Sequence, residues 1–261
     1  MLHNLAQLPR YRGLIQSLVA RDLKARYRGS FLGFFWSFIN PLMLLLVYTF
    51  VFKYVMPAPK GTDPYPLFMF CGLLPWTWFS ASLMESSGSL ISGGNLIKKV
   101  LFPAEVLPIV TVTANMVHFF LALPILVIFL IVYQAPLTAG ELAWFPVVVF
   151  VQYVFTLSCA LILSALTVHF RDIRDILSNL LQLWFFATPI IYSYLASPVA
   201  MKYLNWNPMA HITISYQEIL FFPGPFGHWK WLVALGAASV VFFFFAYGTF
   251  DRLRDTFAEE V

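Results

Sequence analysis

RDLKARYRGSFLGFFWSFINPLMLLLVYTFVF, residues 21–52, sets Arg21, Lys24, Arg26 and Arg28 within eight positions and then runs 24 residues without a charge, the last 22 of them an apolar run from Phe31. A secretion signal has an apolar core of about 7–15 residues followed by a small-x-small cleavage site. This run is longer: as a helix it extends about 33 Å, against a hydrocarbon core of roughly 30 Å. Residues 1–30, polar and amphipathic, precede it, and Lys53-Tyr54-Val55-Met56-Pro57 offers no cleavage site. The segment reads as a first transmembrane helix that is retained.

The remainder of the chain agrees. Of 261 residues, 60% are hydrophobic and only 11% charged, whereas a soluble domain carries about a quarter charged residues. Such a chain cannot cover its surface in water, so the composition predicts an integral membrane protein. The net charge of +4 comes mainly from one end, which suits a face held against anionic lipid and argues against nucleic-acid binding. Cys71 and Cys159 both lie in apolar runs and read as small buried hydrophobes rather than a disulfide or metal framework.

Further apolar stretches fall at about 65–90, 106–133, 143–168, 176–195 and 229–250, giving an all-α architecture of about six membrane-spanning helices. Lys and Arg set the orientation. Twelve of them (Arg10, Arg12, Arg21, Lys24, Arg26, Arg28, Lys98, Lys99, Arg171, Arg174, Arg252 and Arg254) fall on one side. Only Lys53, Lys60, Lys202 and Lys230 fall on the other. Both termini are therefore predicted in the cytoplasm. Leu8, Tyr11, Ile15, Leu18 and Leu23 recur near helical spacing within residues 5–25, predicting an amphipathic helix in the headgroup layer. Residues 196–228, rich in aromatics and broken by Pro208, Pro223 and Pro225, read as short helices dipping into the outer leaflet.

Signatures of an enzyme are missing from the sequence. It has no phosphate-binding Gly-x-x-x-x-Gly-Lys-Ser/Thr loop, no His-Glu-x-x-His and no Cys-x-x-Cys. In His169-Phe-Arg-Asp-Ile-Arg-Asp175 each carboxylate is matched by an arginine, so Asp172 and Asp175 are expected to cap the fifth span. Glu85, His118 and Glu218 are too scattered for a proton relay. Any transport must be driven by another protein. Phe34, Phe35, Trp36 and Phe38 approach the first span, and Trp76 and Trp78 follow a Leu-Leu-Pro break in the second. An interfacial belt explains each aromatic singly; as a set they form a plausible sliding path for sugars.

These residues carry a resemblance. Arg-Asp-Leu-Lys-Ala-Arg-Tyr-Arg-Gly-Ser-x-Leu-Gly-x-x-Trp-x-x-x-Asn-Pro (21–41) resembles the approach to the first span in membrane subunits of type 2 ABC exporters for O-antigen, capsule or teichoic acid. Gly72-Leu-Leu-Pro-Trp76, Asn95-Leu-Ile-Lys-Lys-Val-Leu-Phe-Pro-Ala-Glu-Val-Leu-Pro108, the 169–175 block, Thr188-Pro-Ile-Ile-Tyr192 and Asn205-Trp-Asn-Pro-Met209 follow in order. The resemblance implies a single permease domain over 1–261: a cytoplasmic-face helix (1–30), a six-span core (31–250) and a cytoplasmic tail (251–261). It implies a homodimer in the inner membrane, driven by two copies of a cytosolic ATPase that would bind the ATP and Mg, this chain binding no cofactor. The cargo it implies is a lipid-linked glycan, O-antigen above others. The ATPase-facing set would be Arg21, Lys24, Arg26, Asn95, Lys98, Lys99, Leu101, Phe102, Pro103 and Glu105. The outer gate would hold Tyr203, Trp206, Asn207, Pro208 and Tyr216. A small-molecule permease shares this fold. A membrane-bound glycosyl- or acyltransferase would need an Asp-x-Asp or a His-x-x-x-x-Asp, and the position five after His169 is Arg174.

Overall fold

A computed structural model describes residues 8–29, 31, 33–55, 61–98, 102–196, 202, 204–254 and 257. Lys99, Leu101 and Tyr203 lie outside them, as does the side chain of Phe34.

The described residues form helices and connecting turns. Among the described residues, four helices are long and apolar enough to cross a membrane: α3 (Tyr65–Ser87), α4 (Val106–Val132), α5 (Phe145–His169, continued upstream by the one-turn helix Ala139–Leu142) and α8 (Trp229–Leu253). Two apolar helices are shorter. Helix α2 (Trp36–Phe50) is entered through a 3-10 turn at Gly33–Phe35 and continued by a π turn over Val51–Val55, and it carries Pro41, which removes one backbone donor. Helix α6 (Ile173–Phe186) stops well before the predicted limit of 195. At about 1.5 Å per residue it is some 21 Å long, less than the hydrocarbon thickness. The chain turns at Thr188-Pro189 because proline disfavours helical backbone in the residue before it. The last two main helices are α1 (Arg12–Tyr27) and α7 (Pro208–Leu220).

Helix α3 is the axle. It is the least apolar of the four long helices, yet 78% of its apolar window is buried, against 22% for α8. It packs on α4, α5, α7, α2 and α6. Gly72 permits this crowding: a Cβ there would lie 3.2 Å from both Gln217 Nε2 and Thr213 Cγ2 of α7, and 3.3 Å from the backbone of Ile190. Gln152 of α5 donates to the Pro75 carbonyl at 2.8 Å, bracing the proline break.

Helix α1 differs from the predicted headgroup-layer helix in what covers its apolar face. Leu14, Ile15, Leu18, Val19 and Leu23 pack on Val106, Val110, Ala114 and Val117 of α4, with Phe102 at the base. The helix gives way at Gly29, whose φ of +77° is left-handed backbone that glycine adopts without strain. Asp172 also differs from expectation. It stands at the N-cap of α6 without a side-chain capping bond, while Asp175 occupies the first turn.

Candidate functional site

Three regions concentrate polar chemistry in an otherwise apolar molecule. The first joins α1 to the bundle. Arg26 donates through Nη1 to Glu85 Oε1 at 2.8 Å and through Nη2 to Glu85 Oε2. Its Nε donates to Asp22 Oδ2 at 3.0 Å. Asn115, buried on α4, donates to Glu85 Oε2 at 2.7 Å. Burial pulls against the guanidinium's charge, but Glu85 and Asp22 outweigh it and hold the Arg26 pKa above its usual value. Arg26 thus faces the bundle, roofing a cavity of about 400 Å³ bordered by Trp36, Asn40, Trp78, Asn115 and His118.

The connection leading to α4 is anchored at one end and free at the other. Asn95, on the turn Gly94–Ile97, and Lys98, at its C-cap, are exposed, whereas Phe102 packs into the α1–α4 cluster and Pro103 is buried. Glu105 is only 2% exposed. Its Oε1 accepts from the Tyr247 hydroxyl at 3.5 Å and lies 3.7 Å from Arg254 Nη1, tying this connection to the end of α8. Phe257 continues the anchor against Phe250 and His169. Arg21 and Lys24 are exposed on α1.

The second region is a groove of about 510 Å³ between α2, α3 and α6, lined by Tyr48, Trp76, Ser80, Ser178, Gln182 and Phe185 among others. The buried residues of helix α6 are the narrow stripe Leu177, Leu181 and Phe185. Ser178, Asn179 and Gln182 are exposed beside the apolar Ile176, Leu180, Leu183 and Phe186. Of the predicted aromatic path, Phe35 and Trp36 are exposed at the start of α2 and Phe38 is half-buried. Trp76 packs against Phe79 and Phe185 at the groove floor. Trp78 belongs to the core, donating its indole N–H to the Val112 carbonyl at 3.3 Å.

The third is a cap built on α7. Asn207 caps the helix, accepting from the Met209 and Ala210 amides at 3.0 and 3.2 Å. It also binds the end of α6: Trp184 donates to its Oδ1 at 2.8 Å, and its Nδ2 donates to the Ala187 carbonyl at 3.0 Å and Thr188 Oγ1 at 3.2 Å. Pro208 opens α7 at a position where no amide is needed. Trp206 is 89% exposed, but Tyr216 sits in the interior against Phe119 and Phe145. Glu218, read from sequence as isolated, accepts from the Tyr194 hydroxyl at 2.7 Å and from the Gly227 and His228 amides at 2.9 Å each. His211, missed in sequence, lies 3.1 Å from the Asn205 carbonyl through Nε2, so that nitrogen carries the proton. Its Nδ1 then accepts from His228 Nε2 at 2.8 Å. Trp231 stacks on His211 with centroids 4.9 Å apart. Among the described residues no group of three or more His, Cys, Asp or Glu is placed to hold a metal ion.

A part-polar groove on a scaffold of long apolar helices matches the family to which the sequence is similar. The family model described as ABC-2 type transporter matches residues 13–221. The chain belongs to the ABC-2 type transporter family. As an ABC-2 permease it is a multi-pass inner-membrane transport subunit, not an enzyme, and it works with a separate ATPase. It is 44% identical, over the full length of both chains, to the O-antigen export system permease protein RfbA of Myxococcus xanthus. It is 32% identical, over 94% of each chain, to the protein of the same name from Klebsiella pneumoniae. To the polysialic acid transport protein KpsM of Escherichia coli it is 28% identical over 80% of this permease.

Proposed function

We propose that this permease carries a lipid-linked polysaccharide, of O-antigen type, outward across the inner membrane, through a conduit formed where two copies meet at the α2–α6 face. The observation that carries the conduit is the polar stripe Ser178, Asn179 and Gln182. Three exposed polar side chains on a membrane helix are costly against hydrocarbon and natural against water, sugar hydroxyls or a second subunit. The aromatic floor at Trp76 and Phe185, with Phe35, Trp36 and Phe38 at one end, supplies faces along which sugar CH groups slide without tight binding. The relatives' O-antigen and polysialic acid roles favour a polysaccharide cargo over a small molecule.

In this reading six helices (α2, α3, α4, α5, α6 and α8) cross the membrane, α6 completing its crossing with the turn that follows, and both termini lie in the cytoplasm. Two ATPase subunits dock beneath α1 and the exposed turn around Asn95 and Lys98, with Lys99 joining the charged face. Nucleotide in the ATPase biases two arrangements of the permease, which requires different contacts in each. Arg26, Phe102 and Glu105 relay the displacement into α3, α4 and α8, and Asn207 and Trp206 serve the outer gate. Deleting the gene should leave lipid-linked glycan on the cytoplasmic leaflet. Restoring the wild-type chain should return it to the surface, and Ser178→Leu with Gln182→Leu, at normal membrane levels, should not. Normal surface glycan in the deletion strain would overturn the assignment.

A further inference from the structure

We propose that the outer rim of the α5–α8 pair holds the zwitterionic headgroup of an aminophospholipid, its ammonium seated against Glu141. A pocket of about 500 Å³ opens there between the helix Ala139–Leu142, the start of α5 and the loop before α8. Three aromatic side chains wall it: the Trp144 ring lies 5.4 Å from Phe226 and 6.4 Å from Trp229, centroid to centroid. Thr138 Oγ1 accepts the Glu141 amide at 3.4 Å and so fixes the turn that presents Glu141 to the pocket.

Glu141 is the residue that nothing else explains. It is 7% exposed, and its Oε2 is buried without a hydrogen-bond partner. A buried carboxylate oxygen in that state is costly unless a donor or cation comes to it. A cation beside a carboxylate and within reach of indole faces satisfies the charge and the ring quadrupoles together.

Position selects the lipid. The apolar helical stretch Ala139–His169 has 31 residues. At about 1.5 Å each that is some 46 Å, well beyond a core of roughly 30 Å, so its first turns stand in the headgroup layer. The flank below is apolar and exposed at Val233, Val240, Val241 and Phe245 of α8, a surface for acyl chains. Helix α8 packs chiefly on α5 and α7, whereas the cargo groove lies between α2, α3 and α6. Lys230, exposed with its ammonium 5.7 Å from the Trp229 ring centroid, meets the headgroup phosphate. Carboxylate and lysine thus match the two charges of a phosphoethanolamine group. The site does not depend on the identity of the cargo.

The test is native mass spectrometry of the full-length protein in detergent. It is offered equal phosphatidylethanolamine and phosphatidylglycerol with identical acyl chains and, separately, free ethanolamine. Wild type should retain phosphatidylethanolamine about fivefold over phosphatidylglycerol, the scale of one cation–π contact. Glu141→Gln and Trp229→Leu, with unchanged circular dichroism and elution, should bring that ratio near one. Lys230→Gln, a change at an exposed side chain, should lower it and serves as the reserve variant if either of the others misfolds. An unchanged ratio in any folded variant, a preference for phosphatidylglycerol, or retention of ethanolamine without lipid selectivity would overturn the proposal.

Discussion

Asn207 concentrates more structure than any other polar residue described. One carboxamide caps α7 and accepts an indole N–H while donating to two oxygens at the end of α6. Replacing it by alanine should cost about 1–2 kcal/mol for the cap alone, and more for the bonds lost with it. Asn207→Asp keeps the cap but loses the donors to Ala187 and Thr188. Melting in detergent should therefore rank wild type above Asp and Asp above Ala; equal melting of the two variants would contradict the bridging role. The histidine pair predicts a pH dependence. Burial, with the neighbouring His211 second, holds the His228 pKa down to about 4 from an ordinary 6.5, and burial also lowers that of His211. The unfolded cap then binds more protons than the folded one between these values, so stability is full above pH 6.5 and falls as pH drops toward 4. The charged neighbours are Glu218, which accepts the His228 amide, and Lys230 on the following turn. Hydrogen exchange in 204–231 should accelerate over that interval, and a flat profile would refute it. Asn207 and Glu218 were visible in the sequence as polar letters among apolar ones. Their partners were not, because Trp184 and His228 reach them only through the fold.

Among the elements, α3 and α6 show where sequence reading succeeds and where it stops. Hydropathy finds α4, α5 and α8 because lipid selects for long apolar helices irrespective of what they touch. It overextends α6, since an apolar turn such as Thr188–Tyr194 scores like helix and only Pro189 hints at the break. Nor does it show that α3 is the axle, a fact of packing that Gly72 makes possible. Gly72→Val should force α3 and α7 apart and cost about 1–3 kcal/mol as overpacking. Gly140→Ala, where a Cβ meets nothing within 4 Å, should leave thermal stability unchanged. Equal melting of the two variants would show that α3 and α7 are not in intimate contact. The Arg26–Glu85 pair joins α1 to α3 across 59 residues, a span no local pattern reports. Charge counting put Arg26 on the expected cytoplasmic side and the resemblance set it among the ATPase-facing residues; in the fold its guanidinium bonds to Glu85 and Asp22.

For the whole molecule, the two faces of the bundle differ in kind. The α8 flank offers lipid a surface of Val233, Val241 and Phe245; the α2–α6 flank mixes apolar with polar groups. Single cysteines at Ser178 and Gln182 should react in membranes with a small hydrophilic thiol reagent, and Val241→Cys and Phe245→Cys should not. Equal labelling of both flanks would remove the basis for the conduit. At the proposed ATPase-docking turn, Lys98→Glu with Phe102→Ala should leave the permease inserted while export ceases and its partner's ATP hydrolysis no longer responds to cargo. Unaltered export would show that the drive enters elsewhere.

The bonds around Asn207 have a mechanical corollary. With Gln217 also donating to the Pro189 carbonyl at 2.7 Å, the C-terminal end of α6 and the whole of α7 are geared together. In the proposed conduit, any swing that widens the passage must then carry its lid along in the same stroke. A polymer many times longer than the bilayer is thick would then meet one aperture rather than two doors in series, and nothing would need to release and regrip it midway.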